Sequence, residues 1–266
     1  MDAIEVALSG RPSLHCLSWS GPADGPVYLL VHGLASNAAM WLGVGDLLAG
    51  AASRVVAVDL RGHGRSEKPD QGYAIADVVE DLVELIAALG LQRPVVAGQS
   101  WGGNVVVQLA SDHPDLLAGV ACVDGGWIRL GDAFPSFEAC WEVLAPPAFG
   151  ELRYEELAAR IGGNGWPPTG VAGVLGCFER RQDGTVAPWL TRERHQLVLR
   201  GLYDHNPFVL EVRVPALLIP TLSNERAARQ LGEGIDGARV APLDGHHDLH
   251  AEQPAAVAAL LQTLAG

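Results

Sequence analysis

Residues 98–103 read GQSWGG, set between the apolar run Pro94-Val95-Val96-Ala97 and the stretch Asn104-Val105-Val106-Val107-Gln108-Leu109-Ala110. The first run is short and β-branched, as in a buried strand, and the second opens a helix. A plain turn between them needs one glycine. This one has Gly98, Gly102 and Gly103, so the backbone bends hard and something approaches it closely. Gly-x-Ser-x-Gly between a strand and a helix is the pattern of a nucleophile elbow, in which a serine on a strained turn projects its hydroxyl from the carboxyl edge of a sheet. Ser100 then stands at the amino end of a helix beginning near Trp101, where free N–H groups and the helix dipole favour developing negative charge.

Working outward, the same alternation of strand and helix continues. Residues 27–31, 55–58, 95–97 and 120–123 are short runs rich in valine, as expected of strands buried on both faces. Between residues 75 and 89, Val78, Val79, Leu82, Leu85, Ile86 and Leu89 recur at helical spacing, with Asp77, Glu80, Asp81 and Glu84 opposite. Such alternation predicts an α/β fold with a parallel sheet and helices on both sides. It lapses after Val123 and resumes at residues 216–219 and 239–241, with a closing helix over 254–265. The intervening segment, rich in proline and glycine and without a clear strand, reads as an insertion. Trp127, Trp141, Trp166 and Trp189 fall in or beside it. These rings either cover an apolar pocket as a lid or make the insertion's own small core.

Composition narrows the partners. A chain of 266 residues with 48% hydrophobic content can bury a large core, and a net charge of −13 argues against nucleic acid or an anionic membrane surface, both of which need basic patches. The N-terminus MDAIEVALSG has no basic and apolar leader, and no run approaches a membrane span, so a cytoplasmic location is the default expectation. Cys16, Cys122, Cys140 and Cys177 lie far apart without C-x-x-C spacing and read as free thiols.

A serine hydroxyl needs a base, normally a histidine oriented by a carboxylate. In elbow architectures the chain order is serine, acid, histidine, which directs attention to Leu243-Asp244-Gly245-His246-His247-Asp248-Leu249-His250-Ala251-Glu252-Gln253-Pro254 after the last strand. Here the chain resembles the α/β-hydrolase superfamily over nearly its whole length. The likeness is carried by VHGLASN at 31–37, VDLRGHGRS at 58–66, GQSWGG at 98–103, VPALLIP at 214–220 and HDLHAEQP at 247–254. It implies a mostly parallel, doubly wound sheet of about eight strands. The core would comprise residues 1–129 and 206–266, and the cap residues 130–205. In the family's register, a histidine precedes a short run ending in Glu-x-Pro; this selects His247, with His246 as runner-up and His250 as a structural residue.

The resemblance also places an oxyanion hole at the backbone amides of Leu34 and Trp101, two donors about 3 Å from the charged oxygen, with His32 as a loop organiser. The chain departs from the family at the acid. After VPALLIP it has Thr221-Leu222-Ser223-Asn224-Glu225, with asparagine where aspartate is usual. Two carboxylates can substitute: Asp124 at the end of the preceding strand, where some members of the family place the acid and where Gly125-Gly126 lets the chain turn away from the carboxylate, is the expected acid, and Glu225, one residue beyond Asn224, is the alternative.

Other patterns carry less. Residues 232–237 fit G-x-G-x-x-G but precede a strand, which disfavours a dinucleotide site. His246 and His250 have helical metal spacing, yet Gly245 favours a loop, and no metal is expected. The charges of residues 59–66 organise a tight turn. The resemblance thus implies a cofactor-free serine hydrolase acting on a small-molecule ester or lactone. Carbon–carbon bond hydrolysis, perhydrolysis and a non-turnover small-molecule receptor are compatible with the same residues. Haloalkane dehalogenases and epoxide hydrolases of the superfamily use an aspartate nucleophile, which the serine here disfavours.

Overall fold

In the central strands, alternate side chains point to opposite faces, and both faces lead into apolar packing. Leu29, Val31, Val56, Val58 and Val96 join one buried cluster, while their neighbours Tyr28, Leu30, Val55, Ala57 and Val95 join another. Residues with period 2 and two dry faces form a sheet covered on both sides. The computed structural model describes residues 1–148, 151–163 and 165–265.

The strands are β1 (Asp2–Val6), β2 (Leu14–Trp19), β3 (Val27–Val31), β4 (Arg54–Val58), β5 (Val95–Gln99), β6 (Gly119–Val123), β7 (Phe178–Arg180), β8 (Val186–Pro188), β9 (Ala216–Ile219) and β10 (Arg239–Val240). Eight of them form one sheet in the order β1-β2-β4-β3-β5-β6-β9-β10. Its first two pairings are antiparallel and the rest parallel. This is the doubly wound arrangement that the alternation implied, in the α/β-hydrolase topology.

Helices α1 (Leu42–Gly50), α2 (Ile75–Ala88) and α3 (Trp101–Asp112) follow β3, β4 and β5. Next come α4 (Leu130–Ala133), α5 (Phe137–Leu144), α6 (Tyr154–Gly162), α7 (Pro168–Leu175) and α8 (Arg192–Asp204). Helices α9 (Glu225–Gly232), α10 (Leu249–Glu252) and α11 (Pro254–Gln262) complete the order. The predicted stripe of α2 is the face it buries: Val78, Val79, Leu82, Leu85 and Ile86 are all in the core with Val105, Val106 and Leu109 of α3. Full burial stabilises by roughly 1.5–3 kcal/mol per large aliphatic side chain. On the opposite face, Val44 and Leu48 of α1 meet Val257 and Leu261 of α11. Among the described residues no helix is long and apolar enough to cross a membrane.

The segment expected to lack strands contains one hairpin, β7 paired antiparallel with β8. Each strand is only three residues long and the second ends in Pro188, so no period-2 run exists for a sequence pattern to reveal. Its register rests on the turn, where Gly184 has φ +84° and the Asp183 carboxylate accepts from the Thr185 amide, and on packing of Val186 with Leu157 and Ile161 of α6.

Because β3, β5, β6 and β9 are parallel, their carboxyl ends share one edge of the sheet. The loops leaving that edge, together with the loop after β10, bring distant parts of the chain to one place.

The interior also holds several neutral histidines. His250 is fully buried against the Trp41 ring at 4.4 Å between centroids, and burial, helped by the charges of His247 and His32, lowers its pKa to about 3. Burial lowers His195 and His205 to about 4, and pushes His32 down and His63 well down. In each case the folded pKa lies below the unfolded one, so between them the unfolded chain binds a proton that the folded chain refuses. Stability is therefore present above about pH 6.5 and declines as pH falls towards 4, by up to about 1.4 kcal/mol per pH unit for each such histidine. The urea midpoint should fall steeply and monotonically from pH 7 to pH 5. An unchanged midpoint over that range would show that these side chains are accessible to protons in the folded state.

Candidate active site

Gln99 ends β5, and the next residue turns the chain sharply. Ser100 has φ +53° and ψ −122°, a conformation costly for a residue with a side chain, and its amide donates to the Val123 carbonyl at 3.0 Å. The glycines answer the crowding on either side. A Cβ on Gly98 would collide with the Gly102 carbonyl, and one on Gly102 would collide with the carbonyl of His32. Only bare backbone lets β5, the turn and α3 approach this closely. Helix α3 begins at Trp101, so Ser100 sits against the positive end of its dipole.

His247 lies in the loop before α10, with its backbone carbonyl held by the Gln99 side-chain amide at 3.1 Å. Its Nε2 is 2.9 Å from Ser100 Oγ, and its Nδ1 is 2.7 Å from Asp124 Oδ2. An ionised carboxylate only accepts, so Nδ1 carries the proton and the Nε2 lone pair faces the serine hydroxyl. The hydrogen bond to Asp124 raises the imidazole pKa above the ordinary histidine value, against the opposing effect of burial.

Asp124 stands at the end of β6 with φ +41°, its side chain 1% exposed. The Thr221 amide and hydroxyl donate to Oδ1 at 2.9 and 3.0 Å, and Asn224 Nδ2 lies 3.0 Å from both carboxylate oxygens. Burial pushes this carboxyl up, but the bonds from His247, Thr221 and Asn224 outweigh it and leave the pKa below the ordinary aspartate value. Asn224, the departure from the family pattern, is thus a donor to the carboxylate across from it. Glu225 is not brought to His247; it pairs with Arg229 one turn along α9. His246, the runner-up base, is 85% exposed and bonds to Glu252.

Leu34 and Trp101 line the same small chamber as Ser100 and His247, a space of about 290 Å³ otherwise walled by Ile128, Leu130, Leu144, His195, Leu199 and Leu202. As the first residue of α3, Trp101 has an amide without an intrahelical acceptor. The loop bearing Leu34 is held by its neighbours. The Ala35 amide donates to His63 Nε2 at 3.3 Å, and the Ala38 amide to Asp59 Oδ1 at 2.7 Å. His32, fully buried, bridges the Gly33 carbonyl and the Leu60 amide and so ties the loop after β3 to the one after β4.

The four tryptophans do not gather at Ser100. Trp127 is buried in the main core; Trp141 packs on His195 with centroids 6.1 Å apart; Trp166 lies by Gly170; and Trp189 lines a separate cavity beside Asp59 and Lys68. The chamber walls come instead from aliphatic residues after β6 and from one face of α8. The signal for these was present in His195, Leu199 and Leu202, spaced at helical intervals, but nothing local shows which surface that face meets. Residues 232–237 form the end of α9 and the turn into β10, with Gly237 at φ +69°. Among the described residues no cluster of three or more His, Cys, Asp or Glu is placed to hold a metal ion.

Residues 26–147 match the family model described as alpha/beta hydrolase fold. Over 157 residues the chain is 38% identical to epoxide hydrolase B of Mycobacterium tuberculosis, covering 57% of this chain and 41% of that protein. The chain spans 30% to 41% of the length of the curated relatives it matches. In structure it superposes on E-2-(acetamidomethylene)succinate hydrolase with a TM-score of 0.79 at 22% identity, covering 99% of this chain and 98% of the other. On the enol-lactonase from Burkholderia xenovorans LB400 the TM-score is 0.71 at 22% identity, covering 98% and 99%. At that identity the two structures speak to the fold alone.

Proposed function

We propose that this chain, a member of the α/β-hydrolase superfamily by its fold, is a serine hydrolase that cleaves a carboxylic ester or lactone through an acyl-enzyme. The observation that carries the reading is the hydrogen-bonded series Asp124–His247–Ser100, with the serine on a strained elbow at a helix N-terminus. Ser100 Oγ attacks the carbonyl carbon as its proton passes to His247 Nε2. The charge on the former carbonyl oxygen is met by the Leu34 and Trp101 amides. The intermediate collapses, the alkoxide leaves with the proton from His247, and a water molecule repeats the sequence to free the acid and Ser100. Asp124 stays ionised throughout, holding the Nδ1–H tautomer and stabilising the imidazolium.

Labelling by a fluorophosphonate, located by mass spectrometry, tests the nucleophile, and a panel of nitrophenyl esters and lactones tests the substrate class. Ser100 should carry the label and at least one ester or lactone should turn over. Labelling elsewhere, or turnover of neither class, would overturn the reading.

The pH profile gives an independent check. Neutral His247 is the active base, and Asp124 raises its pKa, so kcat/KM should fall about tenfold per pH unit on an acid limb centred above about 6.5. A flat profile down to pH 4, with the protein still folded by circular dichroism, would remove the histidine from this role.

A further inference from the structure

A second cavity adjoins the chamber at Ser100. It measures about 670 Å³ and meets the first at His195, whose ring lines both. Its walls are mainly apolar, including Phe178, Val186 and Leu190, but Arg181 and Arg192 also face it and, among the described residues, no Asp or Glu does. In a chain with 31 acidic and 18 basic side chains, that is a segregated environment. Three other surface cavities each contain carboxylates: Asp59 and Glu179, Glu225 and Glu233, and Glu211 and Asp236.

The two guanidinium groups differ in how they are held. Arg192 lies with its guanidinium carbon 4.9 Å from the centre of the Trp141 ring and donates to the Pro146 carbonyl, which fixes its position; among the described residues it forms no ion pair, and its nearest carboxylate influence is the more distant charge of Glu193. Among the described residues the Arg181 guanidinium has no hydrogen bond or ion pair, only the more distant charge of Asp183. His195 is 7% exposed and its burial keeps the ring neutral at physiological pH, so the boundary between the two spaces adds no charge of its own. A planar fork of N–H donors at the end of an apolar cavity matches a carboxylate.

We propose that this cavity receives the distal arm of the substrate and that the arm ends in a carboxylate held by Arg181 and Arg192. The inference rests on the serine-hydrolase reading above and names its substrate class: an ester or lactone with an anionic group remote from the bond cleaved. Trp141 then acts as the support that positions Arg192.

The test compares para-nitrophenyl monoesters of adipic and suberic acid with the hexanoate and octanoate esters of equal length. The net charge of −13 disfavours anions in general, so a preference for them must arise locally. For at least one length, kcat/KM should be about tenfold or more higher for the carboxylate ester, the worth of a charged hydrogen bond. The double variant Arg181→Gln with Arg192→Gln should erase that preference, lowering kcat/KM for the carboxylate esters about tenfold more than for the neutral esters of equal length, with circular dichroism and the melting temperature showing that it is folded. Arg181→Glu, at an exposed position, should shift preference towards an ester ending in an ammonium group. Equal or better turnover of the neutral esters by the parent, or a preference that survives the double variant, would overturn the proposal. If Ser100 takes no fluorophosphonate and no ester reacts, the hydrolase reading fails by itself. The cavity is then read by calorimetry with suberate: binding by the parent and its loss in the double variant supports the anion site, and no binding by the parent overturns it.

Discussion

Ser100→Ala should abolish ester turnover, lowering kcat by about 10⁶, and abolish covalent labelling, while leaving the melting temperature nearly unchanged. The magnitude follows from the way the three side chains act as a unit. Without Oγ there is no nucleophile for His247 to activate, and only the amides of Leu34 and Trp101 and substrate binding remain to accelerate attack by water. Stability should hold because the substitution removes one oxygen from a side chain that faces the chamber, and alanine meets the same backbone strain at φ +53° as serine does. Retained turnover by the purified variant would assign the nucleophile to another residue. A large loss of stability together with turnover would make the measurement one of folding, which circular dichroism distinguishes.

Asp124→Asn should lower kcat by about 10⁴ with the fold intact. The surroundings decide how the new amide lies. Thr221 N, Thr221 Oγ1 and Asn224 Nδ2 are all donors directed at Oδ1, so the amide oxygen takes that side and its NH₂ faces His247. Two donors cannot face each other, so the imidazole gives up its Nδ1 proton, and Nε2 then presents N–H to Ser100 instead of a lone pair. The acid limb of the pH profile should also move to lower pH, since the hydrogen bond that raises the His247 pKa is the largest cause of its shift. Glu225→Gln should change kcat less than about twofold, because the side chain is engaged only with Arg229. A larger loss in Glu225→Gln than in Asp124→Asn would reverse the assignment of the acid.

The same geometry predicts an asymmetry at Asn224. Asn224→Asp in the native background sets a second carboxylate within hydrogen-bond reach of the first, and two like charges at that distance force one to take a proton. Combined with Asp124→Asn, however, it returns a carboxylate to the pair and should recover part of the lost turnover. Recovery in the double variant greater than in either single one is the signature of a shared site.

Much of this molecule could be read before any coordinates. The valine-rich runs of β3 to β6 and the apolar stripe of α2 are patterns with short periods, set by how neighbouring side chains project from a strand or a helix. The elbow is equally local. Gly98, Ser100 and Gly102 are a signal because a strained turn with close backbone on both sides tolerates few residue types, so its steric requirements appear within five consecutive positions. The order of serine and histidine along the chain, and the choice of His247 over His246, followed from a resemblance carried by such local motifs.

What only the tertiary structure decided has one physical source, contact between residues far apart in sequence. Asp124 was the acid expected from the sequence and Glu225 its alternative, both being carboxylates near strand ends. The parallel register of β6 against β9 carries Thr221 and Asn224 to Asp124, 97 and 100 positions away, and the loop after β10 carries His247 to it across 123. That register is fixed by burial of whole strands on both faces, a sum over many residues that no single motif contains. The tryptophans illustrate the converse. Their size marked them as important, but a large ring is satisfied equally by a core or by a pocket, and the packing of α5, α7 and α8 sent them away from Ser100. The presence of Arg181 and Arg192, and of no Asp or Glu among the described residues, around one cavity is likewise a property of the folded surface, because it depends on which side chains a short hairpin and the start of α8 turn towards the same space.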